Sequence, residues 1–145
     1  MSEDITILLT DDDYGHTQLI ERYLRKAEVF NELIHFDNGR KVLDFLNKKN
    51  SDNNRLPGKR YLLLLDIRMP GMDGIEVLRQ IKTDDILKVM PVIMLTTTST
   101  TKEMEQCYRL GCNGYITKPI DFLEFQEKLS ILGQFVKNLS CPVLP

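Results

Sequence analysis

The sequence predicts an α/β fold, a (βα)5 doubly wound parallel sheet with helices on both faces. Two observations carry this. Five short apolar runs, at residues 5–9, 33–36, 61–65, 92–95 and 114–117, alternate with five stretches of helical periodicity. The run Tyr61-Leu62-Leu63-Leu64-Leu65 has no polar alternation, as a strand covered on both faces requires. Parallel neighbours need crossover connections, and these are right-handed. The 145 residues suit one domain, and 42% hydrophobic with 28% charged residues is the make-up of an ordinary globule.

The elements follow in order. The first strand comes after the acidic Met1-Ser2-Glu3-Asp4, so it lacks the basic flank of a signal segment. Its helix carries the stripe Leu19, Ile20, Tyr23, Leu24 and Ala27, with Asp13 placed as the N-cap. Asn38-Gly39 opens the second helix, whose apolar face is Val42, Leu43, Phe45 and Leu46. Residues 50–59 form a polar connection, long for this fold, with Pro57-Gly58 near its end. The third helix shows Ile75, Val77, Leu78 and Ile81. Pro91 stops the connection into the fourth strand, and Met104, Cys107, Tyr108 and Leu110 mark the helix after it. Pro119 follows the fifth strand. The last helix bears Leu123, Phe125, Leu129, Leu132, Phe135, Val136 and Leu139, more apolar positions than one sheet face needs. Residues 1–139 are expected to be the domain, and 140–145 a short non-helical tail with two prolines.

Composition excludes several classes. Nineteen basic and 21 acidic side chains give a net charge of −2, which argues against a nucleic-acid groove or a basic membrane face. No stretch approaches the ~20 apolar residues of a membrane span. Cys107, Cys112 and Cys141 match no metal or redox spacing and read as reduced thiols of a cytoplasmic protein. There is no G-x-G-x-x-G, P-loop or H-E-x-x-H motif. The two histidines, His16 and His35, read as surface or packing residues.

Sites on parallel sheets form at the carboxyl ends of the strands. The first strand runs into Thr10-Asp11-Asp12-Asp13, the third into Asp66, the fourth into Thr96-Thr97-Thr98 and the fifth into Thr117-Lys118-Pro119. Asp11, Asp12 and Asp66 therefore crowd one edge, and like charges that close need a compensating cation. Lys118 and a divalent metal are the available ones. Aspartate oxygens with open water positions favour Mg²⁺. A metal, a lysine, a hydroxyl and a carboxylate together make a phosphoryl-transfer constellation.

Leu65-Asp66-Ile67-Arg68-Met69-Pro70-Gly71-Met72-Asp73-Gly74 is very similar to the phosphoacceptor segment of response-regulator receiver domains. Leu8-Leu9-Thr10-Asp11-Asp12-Asp13, Met94-Leu95-Thr96-Thr97 and Gly114-Tyr115-Ile116-Thr117-Lys118-Pro119 resemble the other receiver signatures, in order and spacing. The resemblance spans residues 5–139. It implies a flavodoxin-like strand order 2-1-3-4-5, and Asp66 as acceptor of a phosphoryl group from a histidine kinase. It also implies Mg²⁺ held by Asp11, Asp12, Asp66 and the backbone carbonyl of Arg68. Lys118 would pair with a phosphoryl oxygen and Thr96 would bond the phosphoryl group, with Tyr115 turning inward as Thr96 moves. The Lys118–Pro119 bond is expected to be cis. Thr10 departs from the usual apolar residue, and Arg68 and Thr98 occupy variable positions that influence phosphoryl lifetime.

With nothing after residue 139 but the tail, the chain resembles a stand-alone receiver, and its long loop and hydroxyl-rich run resemble the regulators of cyanobacterial phytochrome kinases. Neither histidine is placed as phosphodonor, so the sensor histidine kinase is another protein, expected to dock over Tyr14, His16, Gln18 and Ile120. The apolar surplus on the last helix predicts a homodimer through that region. Two other readings compete. A haloacid-dehalogenase-like phosphatase would use Asp11 as nucleophile and Asp13 as acid/base, which leaves residues 66–74 unexplained. A phosphate-independent interaction domain would leave the complete acidic set without a use.

Overall fold

The computed structural model describes residues 4–97 and 100–145. Thr98, expected to influence phosphoryl lifetime, lies outside the described residues. Five parallel strands form one sheet in the order β2-β1-β3-β4-β5: β1 is Ile5–Thr10, β2 Leu33–Phe36, β3 Arg60–Leu65, β4 Val92–Thr96 and β5 Gly114–Thr117. The helices are α1 (Tyr14–Lys26), α2 (Gly39–Leu46), α3 (Gly74–Lys82), α4 (Thr101–Leu110) and α5 (Phe122–Lys137). The flavodoxin-like order expected from the resemblance is the one present.

Alternation along each buried strand divides the core in two. Ile5, Ile7, Leu9, Leu62, Leu64, Ile93 and Leu95 meet α1 and α5 through Ile20, Leu24, Phe125, Leu129 and Val136. Leu8, Leu63, Leu65, Val92 and Met94 face the other way, onto α2, α3 and α4. All of β1, including the hydroxyl-bearing Thr6 and Thr10, is buried. Asp13, Asn38, Asp73, Thr100 and Asp121 each cap the helix that follows by accepting from a backbone N–H of its first turn.

Two expectations are corrected, for α4 and for the Lys118–Pro119 bond, and one holds, the apolar surplus on α5. On α4 only Cys107 is buried; Met104 and Tyr108 lie on the solvent side, because the helix meets the core along the narrow line of Cys107 and the partly buried Leu110. On α5 the sheet takes Phe125, Leu129, Leu132 and Val136, while Leu123 and Phe135 stay outside with Phe122 and Ile131. No described peptide bond is cis, so Lys118–Pro119 is trans, the isomer that an X–Pro amide favours by ~0.5–1 kcal/mol.

The tail is not helical, and it is tied down. Leu144 is fully buried in the α2–α3–α4 core, and its backbone bridges Lys59 in antiparallel fashion. Gly58 N donates to Leu144 O at 2.8 Å and Leu144 N to Lys59 O at 2.9 Å. The buried Arg55 completes the strap, donating to Leu46 O at 2.7 Å and to Pro145 O at 2.5 Å. Truncating a wholly buried leucine leaves a cavity, so Leu144→Ala should lower the free energy of unfolding by about 2–3 kcal/mol in urea titrations.

Candidate functional site

The parallel register brings the strand ends together. Thr10 lies opposite Leu65 across β1 and β3, so Asp11 and Asp66 emerge side by side. Asp66 N donates to Thr10 O at 3.0 Å and Asp11 N to Phe36 O at 3.1 Å, so both backbones leave the sheet still hydrogen-bonded. Asp11 and Asp66 are buried and Asp12 is exposed, and one carboxylate oxygen from each lies within 4.8 Å of the others. Thr96 closes β4 beside them, fully buried.

The chain after Asp66 is shaped around this edge. Gly71 has φ +77°, a left-handed turn conformation that glycine adopts without strain, and Asp73 caps α3. At Gly74 a Cβ would stand 2.0 Å from the carbonyl oxygen of Asp66, so only glycine lets α3 begin this close to the site. The side chain of Arg68 turns out to solvent and pairs with Glu103 of α4 at 2.5 Å. Tyr115 is half-buried on β5 against the α2–α3–α4 core, and burial pushes its hydroxyl up to about 12.

Lys118 binds the edge together. Its ammonium, only 2% exposed at the side chain, donates to Asp11 Oδ2 and lies 3.8 Å from Asp66 Oδ2. Asp11 Oδ1 is taken by the backbone N–H of Asp13 at 2.9 Å. Asp66 Oδ1 is buried with no hydrogen-bond partner. Desolvation raises the Asp66 pKa above the usual carboxylate range; the Lys118 charge and the Thr96 hydroxyl oppose the rise, and the Asp11 charge adds to it. An orphaned buried carboxylate oxygen beside two further carboxylates is the donor set of a hard divalent cation, so these residues fit one.

Asp11, Asp12, Asp66, Thr96 and Lys118 meet at this edge, and the Arg68 side chain, expected there only by its backbone carbonyl, pairs with Glu103 instead. Two residues were missed. His16 is no bystander: its Nδ1 is 3.2 Å from Lys118 Nζ. His35 Nε2 lies 2.9 Å from the carbonyl oxygen of Asp11 and so donates to it, steadying that backbone from β2. No local sequence signal could have revealed either, since the contacts span 102 and 24 residues. The phosphatase alternative loses its acid/base. The Asp13 carboxylate caps α1, and the His16 backbone N–H holds its pKa below the usual carboxylate range, which makes it a poor proton donor.

The family model described as the response regulator receiver domain matches residues 7–130. The crystal structure of a receiver domain from Rhodospirillum rubrum superposes with a TM-score of 0.88 at 37% identity, covering 96% of this chain and 98% of that one. The Mn²⁺-bound form of response regulator Rcp1 gives a TM-score of 0.85 at 29% identity, covering 94% and 98%. By sequence, Rcp1 of Synechocystis is 34% identical over 77% of this chain and 75% of its own length. Chemotaxis protein CheY-3 of Vibrio cholerae is 31% identical over 89% of this chain and 92% of its own.

The raised pKa of Asp66 has a consequence for stability. Folded Asp66 keeps its proton to a higher pH than the unfolded chain does. In the window between the two pKa values the folded state binds more protons, so stability falls as pH rises through it. In metal-free buffer, Asp66→Asn should stabilise the fold at neutral pH by on the order of 1 kcal/mol in urea titrations, and acidification through the raised pKa should erase the gain.

Proposed function

The chain belongs to the response-regulator receiver domain family, and on that premise we propose that it accepts a phosphoryl group on Asp66 from a sensor histidine kinase and signals through its changed surface. The observation that carries the reading is Asp66 itself: a buried carboxylate with one unpaired oxygen, beside Asp11, Asp12 and the Lys118 ammonium.

An Asp66 carboxylate oxygen forms the new O–P bond as the N–P bond of the donor phosphohistidine breaks, and the donor imidazole keeps the electron pair and takes a proton. Asp11, Asp12, Asp66 and the backbone carbonyl of Arg68 would hold Mg²⁺, which when bound neutralises charge on the phosphoryl oxygens. Lys118 stands 3.8 Å from Asp66 and supplies a second positive charge to those oxygens. Thr96 donates its hydroxyl to the phosphoryl group. The new group brings about −1.5 to −2 charge to the strand edge. Drawing Thr96 toward it opens space behind β4, and Tyr115, already half-buried, turns into it.

A kinase face is supported by a cleft of about 530 Å³ between α1 and the start of α5, lined by His16, Leu19, Pro119, Ile120, Phe122 and Phe125. Ile120, which lines it, is fully exposed, whereas Tyr14 is 67% exposed and has its ring toward His35 of β2. Likeness to Rcp1 and to the phosphorylated cyanobacterial phytochrome response regulator RcpA, at a TM-score of 0.84 and 29% identity, supports a phytochrome-type kinase as the donor. Exposed Leu123, Ile131 and Phe135 on α5 support a homodimer through that helix.

With acetyl phosphate as donor, the wild-type chain should take up phosphoryl label on Asp66. Asp66→Asn should take up none, and chelation of divalent metal by EDTA should abolish uptake by the wild type. Retained labelling in the Asn variant would sink the reading. In sedimentation equilibrium at tens of micromolar, the chain should run as a dimer and Ile131→Glu as a monomer; a wild-type monomer would remove the α5 interface.

A further inference from the structure

His16 stands outside the groups assigned above, yet its ring meets them. The Asp13 cap takes the His16 backbone N–H at 3.1 Å, which fixes the first turn of α1 and aims the ring at the strand edge. There Nδ1 lies 3.2 Å from Lys118 Nζ, 3.6 Å from Asp13 Oδ2 and 4.0 Å from Asp11 Oδ2. An ammonium has only protons to offer, so Nδ1 is the acceptor and the ring proton sits on Nε2. The lysine thus has two partners on its α1 side, Asp11 and His16, and a third acceptor, Asp66 Oδ2, 3.8 Å away on the other.

We propose that His16 is a positioning residue for phosphoryl uptake. It holds one N–H of Lys118 on the α1 side and keeps the ammonium from closing on the Asp66 carboxylate before the phosphoryl group arrives. The inference rests on the receiver reading. A buried ammonium that loses an acceptor takes the nearest replacement, and here that is Asp66. A carboxylate oxygen tied to an ammonium is a poorer nucleophile and a poorer cation ligand. With His16 in place, the third N–H of Lys118 remains for the incoming phosphoryl oxygen.

Acetyl phosphate with Mg²⁺ tests this without a kinase, so the candidate docking cleft does not enter. In that reaction an Asp66 oxygen forms the O–P bond, the P–O bond to acetate breaks, and acetate leaves with the electron pair. His16→Leu should take up label roughly five- to tenfold more slowly, the effect of one misplaced hydrogen bond. His16→Asn, whose Oδ1 can stand in for Nδ1, should recover most of the rate, which a merely structural role does not explain. Long-range ¹⁵N–¹H spectra should show His16 as the Nε2–H tautomer in the wild type and as a mixture in Lys118→Met. Wild-type labelling rates in His16→Leu, or an Asn variant as slow as the Leu variant, overturn the positioning role alone. A wild-type chain that takes up no label overturns the receiver reading as well.

Discussion

The buried ammonium of Lys118 is the contact on which the rest of the site depends. Asp11 comes from the end of β1, Asp66 from the end of β3 and Lys118 from the end of β5. Two carboxylates so placed repel, and removing the partner of a buried charge costs about 3–5 kcal/mol. The strand order makes the arrangement reachable. β1 and β3 are neighbours, whereas β5 lies two strands from β3, a gap that a long lysine side chain spans. Sheet register and site chemistry are therefore one problem: a strand slipped by one residue would leave the ammonium without its carboxylates.

Among the described residues, two buried side-chain atoms lack a hydrogen-bond partner, Thr10 Oγ1 and Asp66 Oδ1. They sit at the ends of adjacent strands. Folded proteins satisfy nearly all such atoms, and of the two the Asp66 oxygen belongs to the acidic edge. The same edge holds a carboxyl group whose desolvation cost the local cation offsets only in part. Elsewhere the fold follows the rules closely, with a side-chain cap on every α-helix and apolar contact on both faces of the sheet. The unpaired oxygen on Asp66 is what an incoming cation or phosphoryl group would use.

Much of this was legible in the sequence. The continuous leucines of β3 announced a strand covered on both faces, and the acidic residues after β1 and β3 announced the edge. Strand ends ran one residue further than the apolar pattern at β1 and β4, because a β-branched threonine fits a buried ladder although it is not apolar. Helical periodicity alone could not say which apolar residues of α4 face inward, and Met104 and Tyr108 do not. His16 was misread for a different reason. Its neighbours in sequence describe a surface helix, and only the passage of the β5 end over α1 turns it into a partner of Lys118. Buried Leu144 was equally invisible, since a proline-flanked tail carries no periodicity.

That tail has a bearing on how the molecule assembles. The strap joins residues 55–60 to 141–145, contacts that close a loop of more than eighty residues. Such long closures form late, after the local βα units have supplied the surface they need. The bridge of the strap meets the start of β3, the end of that strand remote from Asp66. The chain thus carries this long closure at one pole of the sheet and its charged edge at the other, so the whole length of β3 separates the strap from the carboxylates.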